Sequence, residues 1–360
     1  MKPSNNLLLP AVRSSIINLW NDKYRAADPN YSHFTEKLNE VELINVSRET
    51  VRRLLLKEGL VSRQQKRISK HRKKRDRKLS FGEMIQLDTS PHDWLSNGTK
   101  LHAVVAIDDA TSQILYIKLY EHDGTMANME AMKTIMESHG LPMTFYVDGA
   151  SWFTTTRNGN GSINIPDASK VYQTQIERAL KELGIELIIA GSPQAKGRVE
   201  RANRTLQDRL ITELKLHGII EINAANKFIE NVFIPDHNRR FAKEPESSSS
   251  SFVTLINNDL LKDILCLKLT STVRNDNTIS KCNKYSIQIL PTEKRLNWSK
   301  AKVEVRIHLN GEVSVYHLQS GEKLPVIVNE LKIPTEFKYH KVAISWEEDI
   351  FTLQKADISI

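Results

Sequence analysis

The sequence predicts an α/β protein whose centre is a mixed β-sheet flanked by helices, with a helical domain before it and a small antiparallel β-barrel after it. Three observations predict this: helical periodicity in the first sixty residues, apolar strands alternating with helices in the middle, and alternating strands near the end. The middle part reads as three consecutive strands, then helix, strand, helix, strand and helix, which is typical of one sheet with helices on its faces. The predicted boundaries of the helical domain, a basic linker, the core with its following helices, a second linker, the barrel and a tail are 1–62, 63–80, 81–246, 247–262, 263–340 and 341–360.

The composition is typical of a globular protein of two or three domains. The chain has 360 residues, of which 40% are hydrophobic and 26% are charged. No apolar run approaches the roughly 20 residues of a membrane span, and the first residues contain no hydrophobic signal-peptide segment. Cys266 and Cys282 do not have metal-ligand spacing. We therefore expect a protein of the reducing cytoplasm.

The net charge of +8 is concentrated in one short segment. Residues 63–78 contain ten lysines and arginines against Asp76, a local charge of +9, so the remainder of the chain sums to about −1. Such a segment can be a solvated linker, but its density favours contact with phosphates, because each neutralised phosphate releases counterions. We predict a basic linker over 63–80 that becomes ordered on DNA. Its densest run consists of Arg72, Lys73, Lys74 and Arg75.

Short amphipathic helices dominate the first sixty residues. The spacing of apolar residues predicts a helix over 9–24, a second over 34–41 and a third after Ser47, which is a good N-cap. Arg48 and Arg52 lie on the polar sides of the third helix. Two short helices around a tight turn, the second rich in arginine, suggest a helix-turn-helix DNA-binding domain. A small helical bundle without that function fits this stretch equally well.

The last third of the chain predicts β-structure after a serine-rich linker. Two alternating runs, 302–309 and 312–318, flank Asn310-Gly311, and Asn-Gly between alternating strands is the strongest short hairpin signal. Further strands are predicted at 268–273 and 285–290. At least four strands in this short span indicate a small antiparallel barrel or sandwich.

Three acidic residues are placed where a sheet of this type collects functional groups. Asp88 and Asp148 each follow a predicted strand directly, and Glu200 lies eight residues into the helix after the fifth strand. Two Mg²⁺ ions about 3.5–4 Å apart can clamp the attacking and the leaving oxygen in phosphoryl transfer. Mg²⁺ prefers hard oxygen ligands, so two or three convergent carboxylates suffice. We therefore predict that these three acids are metal ligands and catalytic residues.

Each acid also has an ordinary structural explanation. Taken singly, the two strand-end acids would be turn residues, and Glu200 would be the ion-pair partner of Arg204. Asp108 and Asp109 are better explained as turn acids of a hairpin, with a minor chance of a metal role. The cations around Glu200 can solvate the helix or contact phosphates that flank a scissile bond. These cations are Lys196, Arg198, Arg201 and Arg204.

Three motifs place the acids in a recognisable pattern. They are Gln86-Leu-Asp88, Val147-Asp148-Gly149 and the segment 192–206, SPQAKGRVERANRTL, which contains Glu200. The spacing is 60 residues from Asp88 to Asp148 and 52 residues from Asp148 to Glu200. The pattern resembles the catalytic core of DDE transposases and integrases, and most closely the insertion-sequence transposases of the ISNCY type. The resemblance covers residues 40 to about 290.

The resemblance implies a ribonuclease-H-like core that cuts and joins DNA at the ends of a mobile element. It implies Asp88, Asp148 and Glu200 as the catalytic triad and Mg²⁺ or Mn²⁺ as cofactor, with two ions per site. It also implies double-stranded DNA as the partner, a homodimer or higher assembly on DNA, and association with the nucleoid. Such transposases commonly carry a further helix-turn-helix before the region present here, so we expect an N-terminally shortened version.

Two other functions remain open at this point. One is a non-catalytic or truncated DNA-binding regulator derived from a transposase, although the presence of all three acids argues against it. The other is a structure-specific nuclease with the same core but without strand transfer. The DDE mechanism needs no covalent protein–DNA intermediate, so we expect no serine or tyrosine nucleophile.

Overall fold

A five-stranded mixed sheet lies at the centre of the protein in the computed structural model. The structure describes residues 8–60, 76–154, 173–190, 197–255, 257–279, 285–293 and 295–330. None of the helices in these ranges is long and apolar enough to cross a membrane. The helices are α1 (Pro10–Leu19), α2 (Tyr31–Glu40), α3 (Arg48–Lys57), α4 (Thr125–His139), α5 (Gln175–Glu182), α6 (Gly197–Leu216), α7 (Ile222–Phe228), α8 (Ile234–Phe241) and α9 (Asn258–Ile264), with π-helical turns at Trp20–Tyr24 and Ile229–Phe233 and a 3-10 turn at Arg25–Ala27. The strands are β1 (Ile85–His92), β2 (Leu101–Asp108), β3 (Ile114–Tyr120), β4 (Thr144–Val147), β5 (Glu186–Ile189), β6 (Cys266–Thr272), β7 (Thr278–Ile279), β8 (Tyr285–Ile289), β9 (Lys302–His308), β10 (Val313–His317), β11 (Lys323–Leu324) and β12 (Val326–Glu330).

The strand order in the central sheet is β3-β2-β1-β4-β5. The first three strands form an antiparallel meander. Strand β4 then runs parallel to β1, and β5 runs parallel to β4. Parallel neighbours need crossover connections, and α4 and α5 lie in the connections that lead to β4 and β5. The predicted mixed sheet flanked by helices is thereby confirmed.

Alternation along the strands gives each face of the sheet to a different set of helices. Ile85 and Leu87 of β1 face an apolar core shared with α4 and α5. Val105 of β2 faces the opposite core, which is shared with α6 and α7. On that second side β1 presents polar groups, because Gln86 and Asp88 both contact α6. The polar row of β1 therefore lies between the sheet and the helix that carries the third predicted acid.

The N-terminal helices form a small unit with an aromatic core. The rings of Trp20 and Phe34 meet edge to face with their centroids 5.0 Å apart, and Tyr24 packs against Phe34 at 5.2 Å. The side chain of Ser47 accepts a hydrogen bond from the Thr50 N–H at 3.2 Å, so Ser47 is the N-cap of α3 as predicted. Helices α2 and α3 are consecutive, as a helix-turn-helix requires, and their role in binding DNA stays a prediction.

Helix α2 fixes this N-terminal unit to the core through charged groups that are largely shielded from water. His33 is 2% exposed, and it and Lys37 both contact the Glu213 carboxylate of α6, at 2.5 and 2.7 Å. Burial by itself would raise the pKa of Glu213, but the hydrogen bonds from His33 and Lys37 outweigh it and hold the pKa at about 2. The buried Arg209 of α6 donates two hydrogen bonds to Glu36 of α2, at 2.8 and 2.6 Å. Removing one partner would leave a shielded charge unpaired, so these contacts oppose separation of the unit from α6.

His237 of α8 lies beside this interface and makes its stability depend on pH. The His237 side chain is 6% exposed and packs against the rings of Phe233 and Phe241, at centroid distances of 5.9 and 4.7 Å. Burial, followed by the positive charge of Arg209, lowers the pKa of His237 from 6.5 to about 4, and the nearby Asp236 opposes this shift. The unfolded chain takes up this proton near pH 6.5 and the folded chain only near pH 4. Stability is therefore present above pH 6.5 and is lost as the pH falls toward 4.

We expect His237 to lower the free energy of unfolding by about 2 kcal/mol between pH 7.5 and pH 5. Urea unfolding curves at the two pH values measure this loss. A His237→Gln protein should lose that much less stability than the wild type over the same interval. The exposed His122 provides the matched control, and His122→Gln should keep the full dependence. If wild type and His237→Gln lose the same stability on acidification, the assignment to His237 is wrong.

The second predicted linker is not free of the core. Residues 247–255, called the strap below, run back across the region that precedes β1 and follows α4. Ser251 donates its N–H to the Phe81 carbonyl at 2.7 Å, and Val253 and Leu141 exchange backbone hydrogen bonds at 2.8 and 2.9 Å. The serine-rich composition predicts a solvated linker, but these backbone groups find partners on the core and hold the strap in place.

The C-terminal part forms two sheets, which matches the sandwich alternative of the prediction, and no closed barrel is found among the residues that the structure describes. The sheets have the orders β11-β10-β9-β6 and β12-β8-β7 and share one apolar core, with Val305 from the first and Ile287 from the second. Pro325 stands between β11 and β12 and has no N–H to continue a ladder, so the chain changes sheet there. The predicted hairpin at Asn310-Gly311 is confirmed, because β9 and β10 pair across it.

Candidate active site

The sequence predicts that Asp88 directly follows a strand, but the structure has Asp88 within β1. It is the fourth residue of the strand and pairs with Val105 of β2. Its side chain is half-buried and faces α6. The strand extends further than its apolar pattern indicates, because Thr89 to His92 continue the antiparallel pairing with β2 although they are largely polar. The backbone of Asp88 is therefore held rigidly as part of a central strand.

Asp148 follows β4 directly, which agrees with its predicted position. Its Oδ1 accepts a hydrogen bond from the Ala150 N–H at 3.1 Å, and the side chain is half-buried. The pairing between the parallel strands β1 and β4 sets Gln86 opposite Tyr146. Two residues further along each chain come Asp88, within β1, and Asp148, the first residue after β4, so the register brings the two acids to about the same level at this edge of the sheet.

Glu200 lies in the first turn of α6 as the structure describes that helix. The described helix begins at Gly197, so Glu200 is its fourth residue, whereas the sequence suggests the eighth. The backbones of Arg198, Glu200 and Arg201 are helical, but their side chains lie outside the described residues. The same holds for the whole of Lys196 and of Arg72, Lys73, Lys74 and Arg75.

Three hydrogen bonds join the start of α6 to the polar side of β1, and we call this set of contacts the polar zipper. Along α6 its members are four residues apart, which corresponds to about 6 Å, and along β1 they are two residues apart, which corresponds to about 6.7 Å. The two repeats nearly match, so helix and strand stay in step over three contacts. The contacts are Val199 N to Gln86 Oε1 at 3.2 Å, Asn203 Nδ2 to Asp88 Oδ2 at 2.7 Å and Gln207 Nε2 to Ser90 Oγ at 3.1 Å.

Sequence reasoning missed the zipper. Spacings of three and four residues put Gln207 on one helix face with Glu200 and Arg204 and give Asn203 no role, yet Asn203 is buried and Gln207 bonds to the sheet. A signal was present, because the polar residues Asn203 and Gln207, four apart on the helix, match Asp88 and Ser90, two apart on the strand. The signal becomes informative only once this helix is known to pack on this strand.

Asp108, the last residue of β2, and Asp109 lie in the hairpin turn for which the sequence predicts turn acids. Asp108 is fully buried and accepts hydrogen bonds from the Gly82 N–H and from the Thr111 N–H and hydroxyl, at 2.7 to 2.9 Å. Burial raises the pKa of Asp108 against the opposing effect of these bonds. Asp109 accepts from the side chain of Gln86, which also bonds to α6. The pair thus shapes the turn and braces the first contact of the zipper.

The donor atoms at this site fit a hard divalent cation. Carboxylate and amide oxygens are the ligands that Mg²⁺ takes from proteins, and Asp88 and Asp148 supply carboxylates at one level of the sheet. Beside Asp88, the buried Asn203 Oδ1 has no hydrogen-bond donor among the described residues. Within those residues no group of three His, Cys, Asp or Glu is placed to hold a metal, and the Glu200 side chain lies outside them.

The predicted DNA-contacting residues that the structure describes are accessible. Arg204 is exposed on α6, one helical turn beyond Glu200, and Arg48 is exposed at the start of α3. Arg52 is held by Glu49 through hydrogen bonds of 2.8 and 2.7 Å, so it would have to share or exchange this partner to contact a phosphate. Their contact with DNA stays a prediction.

Two curated proteins are similar to this chain in sequence. The chain is 36% identical over 272 residues to "Putative transposase y4bF" of Sinorhizobium fredii (strain NBRC 101917 / NGR234), a match that covers 74% of this chain and 56% of that protein. It is 33% identical over 258 residues to "Transposase for insertion sequence IS1202" of Streptococcus pneumoniae, covering 62% of this chain and 54% of that protein. The predicted resemblance to transposases is therefore confirmed: the chain is homologous to these two proteins over most of its length. It spans about half the length of the curated relatives it matches.

Retroviral integrases are among the solved structures that align with the chain. The HTLV-2 integrase catalytic core domain in complex with magnesium aligns with a TM-score of 0.31 and 15% identity, covering 43% of this chain and 90% of that one. The simian T-cell lymphotropic virus intasome in complex with PP2A regulatory subunit B56 gamma aligns with a TM-score of 0.36 and 10% identity, covering 89% of this chain and 99% of that one. These scores are too low to say anything of activity. No protein-family model matches the chain.

Proposed function

We propose that the protein is a DDE transposase, which cuts DNA at the ends of a mobile element and joins those ends to target DNA. One observation carries the proposal: Asp88 of β1 and Asp148, directly after the neighbouring β4, lie at about the same level of the sheet, and Asp88 contacts the helix that carries Glu200. Three acids that come from two strands and a helix meet the need of a metal site for ligands on rigid elements. Homology to insertion-sequence transposases supports the same reading.

In this proposal Asp88, Asp148 and Glu200 hold Mg²⁺ or Mn²⁺, with two ions per site. Divalent cations held there would activate the attacking oxygen and stabilise charge on the phosphate. The polar zipper keeps α6 in step with β1 and so keeps Glu200 near the two strand acids.

The basic residues bind the DNA backbone and orient it toward the acids. Arg204 projects from the exposed side of α6, and Lys196, Arg198 and Arg201 lie in the same motif. Arg48 and Arg52 of α3 contact the element end, and the basic linker with Arg72 to Arg75 contacts flanking phosphates. The partner is double-stranded DNA. Since two element ends are joined in one reaction, a homodimer or higher assembly forms on DNA.

Cleavage and strand-transfer assays test this function. The substrates are labelled duplexes that carry the sequences flanking the gene, with a supercoiled plasmid as target, in Mg²⁺, in Mn²⁺ and in EDTA. We expect cation-dependent cleavage at one position followed by covalent joining of the cut strand to the plasmid. Cleavage without joined products would identify a nuclease instead. Salt-dependent binding without cleavage of any of these DNAs would identify a DNA-binding regulator and overturn the proposal.

A further inference from the structure

Asn203 is the member of the polar zipper that touches a predicted catalytic acid. Its Nδ2 donates to Asp88 Oδ2 at 2.7 Å, a short bond between an amide and a carboxylate. Asn203 is 8% exposed, so this bond is shielded from competing water. The opposite amide orientation would set an amide oxygen against a carboxylate oxygen, and the bond therefore fixes which atom of Asn203 faces Asp88.

The other amide atom of Asn203, Oδ1, is a buried acceptor without a donor among the described residues. Buried acceptors are normally satisfied, and an exception calls for an explanation such as a water or an ion. An acceptor next to Asp88 can receive a hydrogen bond from water that belongs to a bound cation. Asn203 thus has one atom for the acid and one for what the acid binds.

The neighbours of Asn203 prevent it from adjusting freely. Four residues before it, the Val199 N–H bonds to Gln86, and four residues after it, Gln207 bonds to Ser90. The side chain of Val199 is fully buried, so this part of α6 cannot turn or slide without breaking packing as well as hydrogen bonds. A side chain whose backbone is fixed on both sides can hold a carboxylate in one orientation.

We propose that Asn203 is a positioning residue, which orients the Asp88 carboxylate for cation binding and supplies Oδ1 as an acceptor beside the bound cation. This inference rests on the proposed function. Asn203 acts through Asp88 and does not itself carry out chemistry. The polar residue types of the zipper then have separate duties: Gln86 and Gln207 keep α6 in step with β1, while Asn203 serves the acid.

Cation-dependent thermal unfolding of the full chain tests this role without relying on activity. Mg²⁺ and Ca²⁺ are titrated separately into wild type, Asn203→Ala and Gln207→Ala, starting from EDTA, and the cation concentration that gives half of the full shift in Tm is recorded. Gln207→Ala is the matched control, because it also removes one zipper contact from α6 but does not touch Asp88. We expect about a ten-fold higher half-saturating concentration for Asn203→Ala, as removal of outer partners of metal ligands typically causes, and a clearly smaller increase for Gln207→Ala, which loosens α6 but leaves the bond from Asn203 to Asp88 in place.

Asn203→Asp tests the same contact if the alanine variant does not fold. The two side chains have nearly the same shape, but the new carboxylate repels Asp88, so we expect a lower Tm than wild type in EDTA and a larger rise on adding cation. A Tm in EDTA equal to that of wild type would count against the contact. Equal half-saturating concentrations in wild type and Asn203→Ala would overturn the positioning role and leave the proposed function intact. If the wild type neither responds to cations nor cleaves DNA, both the positioning role of Asn203 and the proposed function are wrong.

Discussion

Replacing Asp88 or Asp148 with asparagine should abolish DNA cleavage and strand transfer while DNA binding is kept. Each substitution removes one negative oxygen and leaves the shape of the side chain almost unchanged, so a loss of activity would report on charge. Mutation of residues that only hold a metal ligand in place lowers activity by up to about 100-fold. Loss of a ligand itself should therefore lower the cleavage rate by more than about 100-fold. Glu200→Gln should behave in the same way. The measurement is the initial rate of cleavage on element-end duplexes, with binding followed separately by mobility shift.

Asp208→Asn supplies the control for this series. Asp208 is exposed on α6, two turns beyond Glu200, so the substitution makes the same change of charge on the same helix without touching the strand acids. Its cleavage rate should equal that of the wild type. Full activity in either strand variant would exclude the DDE mechanism.

Gly140→Ala should destabilise the fold by roughly 2–5 kcal/mol, combining left-handed backbone strain with overpacking. Gly140 has a φ of +100°, and a Cβ there would overlap the carbonyl oxygen of Val253 in the strap. Backbone atoms cannot rotate away as a side chain can, so the strap itself would have to move. Gly82, with a φ of +84°, approaches the ring of Phe252 in the same strap. Gly82→Ala should therefore be destabilising too, but less so, because an aromatic ring can shift.

Gly98→Ala separates the cost of left-handed backbone strain from the cost of overpacking against the strap. Gly98 has a φ of +83°, close to that of Gly82, but a Cβ there would meet nothing within 4 Å. It should cost only the backbone strain, about 1–2 kcal/mol. Urea unfolding gives the three free energies, and limited proteolysis within 247–255 shows whether the strap has detached. Equal losses in all three variants would mean that close packing of the strap adds nothing to stability.

The central sheet shows which parts of this fold can be predicted from sequence. Apolar runs and turn residues predict the strands and helices locally, and Asn310-Gly311 predicts its hairpin, because these signals come from residues a few positions apart. The apolar pattern predicts a shorter β1 than the structure has, because the second half of β1 is polar and is kept in the sheet by pairing with β2. The strap differs from its prediction for a similar reason, since its serines give a linker composition while its backbone bonds to Phe81 and Leu141.

The C-terminal part shows the limit of strand counting. Alternation predicts the strands but does not say how they join, and Pro325 decides this by ending one ladder and letting the chain enter another sheet. The interface between α2 and α6 could likewise not be predicted from the sequence. It pairs His33 with Glu213 across 180 positions of sequence, and no local period reports such a contact.

The sequence by itself determined the local elements, the three acidic motifs and the resemblance to insertion-sequence transposases. Only the tertiary structure decided that Asp88 in β1 and Asp148 after β4 come to about the same level of the sheet. It also decided that the polar zipper holds α6 on β1. The physical reason is distance along the chain. Local propensity and periodicity act over a few residues, whereas the bond from Asn203 to Asp88 spans 115 positions and exists only after strand and helix have packed in one register.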